Sequence, residues 1–140
     1  MKPIIQQLLK EAETGEQDIK LSSLLGINDY LRHPYPHEEG YVEVVQQLII
    51  LLTKEQDADV RKLFFRNIAD AFMCRIDLSE LDFGPLIHGM DKKDPRFIGN
   101  VLYILSLTYK DKYKKIISRY LTHPDEIVRY EAQDALNHLP

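Results

Sequence analysis

The sequence predicts an all-α protein, an array of four antiparallel helical hairpins with eight helices in all. Three observations carry that prediction. Apolar residues recur at helical spacing in one segment after another, no run alternates with the two-residue period of a strand, and one frame of residues repeats along the chain. The frame is plainest in "HPDEIVRYEAQDALNHL" (123–139), where Val128, Ala132, Ala135, Leu136 and Leu139 fall at i, i+4, i+7, i+8 and i+11. At about 100° per residue these positions form one stripe. Pro124 and Asp125 supply a turn and a first-turn carboxylate suited to the helix dipole. The two alanines let a neighbouring helix approach closely.

The same frame lies upstream. "DADVRKLFFRNIADAF" (57–72) places Val60, Phe64, Ile68 and Ala71 on the stripe, and "DPRFIGNVLYILSLT" (94–108) places Phe97, Val101, Ile104, Leu105 and Thr108 there. A fainter copy at 16–31 gives Ile19, Ser23, Gly26, Ile27 and Tyr30. The frame positions Ile19, Val60, Phe97 and Val128 are separated by 41, 37 and 31 residues, the spacing of a helical repeat array in which no unit buries its own face alone. Partner helices are predicted at 3–13, 40–53, 79–90 and 111–122. The third is interrupted by Gly84 and Pro85, and Pro85 is equally suited to open a shorter helix. No low-complexity linker divides the chain, so residues 1–140 read as a single domain.

Composition narrows the function. With 140 residues there is enough chain for a core, and a net charge of −4 argues against a general phosphate-backbone binder. Cys74 is the only cysteine, which points to an intracellular, cytoplasmic setting without disulfides. The longest apolar stretch, "LIILL" at 48–52, falls far short of the roughly 20 residues that span a bilayer. Neither a nucleic acid nor a membrane is therefore an expected partner.

The segments 123–139 and 57–72 resemble HEAT repeats, including the short bacterial form named after phycobilin lyases; the likeness is moderate at 94–108 and weak before residue 32. The resemblance implies a right-handed α-α superhelix, a HEAT-like solenoid, and specifies a fold and not a chemistry. In the family, the Asp of the inter-helix turn and the Arg after the Val form a polar ladder between adjacent repeats. By that resemblance Asp57 with Arg61 and Asp125 with Arg129 would be such pairs, whereas Ile98 replaces the Arg at 94–108 and breaks the ladder there. Lys20 takes the Arg position in the first copy. On the helix itself, Arg129 lies at the stripe's edge, where its stem can pack and its head can pair.

No catalytic constellation is expected. "RHPYPHEEGY" (32–41) brings His33, His37, Glu38 and Glu39 together, but its two prolines are incompatible with the helical H-x-x-x-H geometry of zinc hydrolases. A proline-stiffened loop is the simpler reading. "VRYEAQDAL" looks similar to the His-Glu motifs of HEAT-like di-iron hydroxylases, yet Tyr130 stands where the ligand histidine would be. HEAT-like DNA glycosylases use a strongly basic face that this acidic chain does not supply. His88, His123 and His138 are scattered, and Cys74 near a helix end is expected to be buried. No metal and no cofactor is predicted.

A binding face is expected opposite the stripe on each repeat's second helix, about 140–240° from it. There lie Tyr130, Gln133, Asp134 and Asn137, then Lys62, Phe65, Arg66 and Ala69, then Gly99, Leu102, Tyr103 and Ser106, and in the first copy Leu21, Leu24, Leu25 and Asn28. Outward-facing Phe65, Leu102, Tyr103 and Tyr130 would be aromatic and aliphatic anchors of a protein interface; the alternative is that a one-residue frame error buries Phe65 and Leu102. The lysines of "YKDKYKKIISRYL" (109–121) are either a patch for an acidic partner or a solvated outer face. The function expected is a non-enzymatic protein–protein interaction module: an adaptor, or a bacterial immunity protein that neutralises a toxin. The alternative is a lyase or maturation chaperone similar to the phycobilin-lyase HEAT-like proteins.

Overall fold

The computed structural model describes residues 1–33, 40–74, 78 and 80–140. Among these residues the protein is all-α, with eight helices and no strand: α1 (Pro3–Thr14), α2 (Gln17–Arg32), α3 (Tyr41–Leu52), α4 (Ala58–Cys74), α5 (Gly84–Ile87), α6 (Pro95–Leu107), α7 (Lys114–Ser118) and α8 (Glu126–His138). No helix among them is long and apolar enough to cross a membrane. The chain forms two compact units, Met1–Pro85 and Leu86–Pro140.

In Met1–Pro85, α1 packs on α2, α2 on α4, and α3 on α4. Pro3 opens α1, whose Ile5, Leu9 and Ala12 form its buried stripe. Helix α3 buries Val44, Val45, Leu48, Ile49, Leu51 and Leu52, so apolar residues ring most of it. The Tyr41 hydroxyl donates to the Leu31 carbonyl at 2.8 Å and so retains a partner inside that core. Val60, Phe64, Ile68 and Ala71 are buried on α4 as the frame predicts.

The first copy of the frame is rotated. Ser23 and Ile27 are buried as the frame predicts, but Ile19 is 45% exposed, and Leu24 and Leu31 join the buried side. The rotation directs Lys20 to the α3–α4 turn, where its ammonium lies 2.8 Å from the Glu55 carboxylate.

In Leu86–Pro140, α8 packs on α6 and α7. Asp94 caps α6 by accepting from Phe97 N, and Asp125 caps α8 by accepting from Ile127 N and Val128 N. Val101, Leu105, Val128, Ala132 and Ala135 are buried along the predicted stripes. The helices expected at 79–90 and 111–122 are much shorter, only Gly84–Ile87 and Lys114–Ser118. The first is closed by Gly89, whose left-handed φ of 75° turns the backbone out of helical register. The second tightens into consecutive i→i−3 turns, with Arg119 N bonding Ile116 O, Tyr120 N bonding Ile117 O and His123 N bonding Tyr120 O.

Candidate functional site

The turn residues of the repeat cap the helices that follow them. Asp57 and Asp125 are both N-caps: Asp57 Oδ1 accepts from Asp59 N and Val60 N, as Asp125 Oδ1 does from Ile127 N and Val128 N. With the carboxylates engaged in this way, the arginines close their own turns. Arg61 Nε donates to Glu55 O at 2.6 Å, and Arg129 donates to His123 O and Pro124 O, both at 2.8 Å. Arg61 and Arg129 each reach the carbonyl six residues back, which explains why Arg follows Val in both copies.

Two polar contacts from the first hairpin to the next come from α2. Gln17 Nε2 donates to Asp57 Oδ2 at 2.9 Å, and Lys20 Nζ donates to Glu55 Oε1. Burial pushes the Glu55 pKa up, but hydrogen bonds from Lys20 and from the Asp57 and Gln56 amides outweigh it and hold the carboxyl below its ordinary value. The Val60 amide, helped by those of Asp59 and Gln17, likewise lowers Asp57. Deeper between the helices, Asn67 Nδ2 donates to Leu24 O and Asn28 Nδ2 donates to Asp70 Oδ2.

The predicted binding face survives only in part. Phe65 and Leu102 are buried, at 6% and 0% exposure, and do not face outward. Each belongs to a second apolar stripe on its helix, Phe65 with Ile68 and Phe72, Leu102 with Ile98 and Leu105. Such helices bury more than one side, so the face opposite one stripe is not solvent. Gly99 and Ser106 are buried as well, and a side chain at Gly99 would meet Glu131 Cγ at 3.3 Å, which sets the close approach of α8 to α6. Lys62 and Arg66 are exposed in Met1–Pro85, with Arg66 Nε 3.8 Å from Asp70 Oδ2.

In Leu86–Pro140 the remaining residues gather on α8. Tyr130 is 67% exposed, Gln133 and Asn137 are exposed and joined by a 3.2 Å hydrogen bond, and Asp134 lies within 3.8 Å of His138 Nδ1. Tyr103 on α6 is exposed as predicted. Sequence reasoning missed Ile127, which is 60% exposed one turn before Tyr130. Its signal was present: 127, 130, 134 and 137 are spaced i, i+3, i+7 and i+10 on one face. Glu131, beside Gly99, is raised in pKa by burial and then by the nearby Asp134 charge.

The other candidates divide. His37, Glu38 and Glu39 lie outside the described residues, while His33 is exposed with Nε2 3.5 Å from Asp29 Oδ1. Cys74 is exposed and not buried. The lysines of 109–121 do not share one helix face: Lys112 sits over the Tyr113 ring and Lys114 pairs with Asp111 at 3.2 Å. Among the described residues no three His, Cys, Asp or Glu side chains cluster closely enough to hold a metal ion.

Two of the scattered histidines line one cleft. A cleft of about 570 Å³ lies between segments 87–91 and 116–124, lined among others by His88, Asp91, Arg119, Tyr120, Thr122 and His123. The Tyr120 and His123 rings stack with centroids 6.1 Å apart. Asp125 N donates to His123 Nδ1 at 3.0 Å, which fixes Nδ1 as the acceptor and leaves the proton of the neutral ring on Nε2. Burial, reinforced by the Asp91 charge and opposed by Arg119, raises the Tyr120 pKa and keeps the phenol protonated. These residues come from two segments about thirty residues apart, with no spacing that marks them as a group. Comparison with protein-family models, curated proteins and solved structures yields no match to this chain.

Proposed function

We propose that the chain is a non-enzymatic protein-binding module whose partner docks on the outer face of α8. One observation carries the reading. Ile127 and Tyr130, one helical turn apart, are 60% and 67% exposed, with Asp134 and Asn137 continuing the same face. An aliphatic and an aromatic anchor beside polar groups suit the centre and rim of a protein interface. Other exposed aliphatic residues, Ile4, Ile19, Leu25 and Met73, are spread over three helices.

The resemblance of 57–72 and 123–139 to HEAT repeats supports the same reading, since such repeats present helix faces to partners. An immunity protein that neutralises a toxin is the specific form we propose. Its test is a pull-down from the native cell, comparing the unaltered protein with Tyr130→Asp and with Lys115→Glu as an exposed control. One protein should be captured by the unaltered chain and by Lys115→Glu and lost with Tyr130→Asp, at unchanged thermal stability. Equal capture by all three contradicts the proposal.

A further inference from the structure

The cleft in Leu86–Pro140 has features that packing alone does not account for. Tyr120 is 8% exposed, yet its hydroxyl makes no hydrogen bond to any described residue. Tyr120 lines the cleft, so its hydroxyl is left for water or a ligand to satisfy. Asp91 and Arg119 line the same cleft, are both exposed, and form no ion pair with each other or with another described residue. Opposite charges that share a cleft and do not close on one another leave one acceptor and one fork of donors facing whatever enters. His123 adds the Nε2–H that its Nδ1 bond leaves free to donate, and Thr122 adds a hydroxyl.

The cleft's size sets the class of ligand. About 570 Å³ falls within the range of sites for small organic molecules and exceeds what a bare oxyanion fills. A nucleic-acid strand would bring phosphates against Asp91 as well as Arg119, so a polyanion is disfavoured. Of the chain's 18 Lys+Arg and 22 Asp+Glu, nine and seven lie in Leu86–Pro140, giving this unit a charge of +2 that favours a small anion.

We propose that this cleft binds a small polyhydroxylated anion, a sugar phosphate or a sugar acid, with its oxyanion held by Arg119 and a ligand hydroxyl donating to Asp91. The Tyr120 hydroxyl gains its missing partner from the ligand. The lining carries no nucleophile activated by a neighbouring base, so binding and not turnover is inferred.

The test follows the imidazole resonances of His88 and His123 in the full chain during titration with glucose 6-phosphate, gluconate, glucose or inorganic phosphate. One or both hydroxylated anions should shift the two histidines saturably, and which of them does so identifies the source of the oxyanion. Glucose and inorganic phosphate should bind at least about tenfold more weakly, since each satisfies one end of the site. Arg119→Gln should abolish the response, and Asp91→Ala should reduce the hydroxylated anions to the level of inorganic phosphate. Tyr120→Phe should weaken binding while leaving the thermal midpoint of the free protein unchanged or higher, because no hydrogen bond to a described residue is lost. Three outcomes overturn the proposal: no saturable shift with any of the four, an equal response to inorganic phosphate and glucose 6-phosphate, or Tyr120→Phe lowering the midpoint with binding unaffected.

Discussion

Met1–Pro85 and Leu86–Pro140 are built on the same helical frame but place their polar groups differently. In the first, polar side chains join helix to helix: Gln17 to Asp57, Lys20 to Glu55, Asn28 to Asp70 and Asn67 to the Leu24 carbonyl. In the second, polar groups line a cleft or extend along the open face of α8, and the helices meet through Gly99 and two alanines. Charge divides the same way, −6 against +2. Polar groups that pair with each other stabilise a scaffold, whereas polar groups left facing outward are available to ligands. On the proposed reading, the first unit is the scaffold and the second carries recognition.

The largest effect comes from opposing core substitutions. Ala132→Asp buries an unpaired carboxylate between α6 and α8 and should cost about 4 kcal/mol. Phe64→Ala should cost about as much through a cavity in the α2–α4 core, roughly 3–5 kcal/mol. Residue-resolved hydrogen exchange checks whether each lowers protection in its own unit first. Loss of both units together would break the comparison, because the chain would then unfold as one.

Next in size is Lys20→Met, which leaves Glu55 buried without its cation and should cost about 2 kcal/mol by denaturant titration. Smaller and more diagnostic is the response to pH. The folded-state pKa of Glu55 lies below the ordinary 4.5, so its stabilisation is complete above 4.5 and is lost as pH falls through the folded value. Glu131 is shifted the other way, so the folded state prefers its protonated form and stability declines as pH rises from 4.5 through the raised value. Acidification towards 4.5 should therefore strengthen Leu86–Pro140, and further acidification should weaken Met1–Pro85. Glu55→Gln and Glu131→Gln should each flatten the slope of its own unit. The smallest effect is Tyr109→Gly: Tyr109 has a left-handed φ of 54°, and relieving it should gain about 0.5 kcal/mol.

Much of the fold was legible in the sequence because its signals are local. The 3.6-residue spacing of Val60, Phe64, Ile68 and Ala71, and caps such as Asp94 and Asp125, need only one helix to act. The outer helices at 79–90 and 111–122 were over-read, since i→i−3 turns carry similar apolar residues without a helix's length. Phe65 and Leu102 escape a reading based on one stripe, because a second, marked by Ile98, Leu102 and Leu105 on α6, is also buried. Of the candidate face, Tyr130, Gln133 and Asn137 could be read because one helix holds them. The cleft was not legible: His88 and His123 come to one cleft only through tertiary packing, and the unpartnered state of Tyr120 has no sequence signature.

The division between scaffold and recognition unit is tested most directly by site-specific photo-crosslinking in the native cell. A photoreactive phenylalanine placed singly at Tyr130, Tyr103, Lys62, Leu25 or Met73 samples exposed positions in both units. One discrete protein adduct is expected from position 130, with none from positions 25 or 73. Adducts formed from Leu25, Met73 or Lys62 and absent at 130 would contradict it and place recognition on Met1–Pro85.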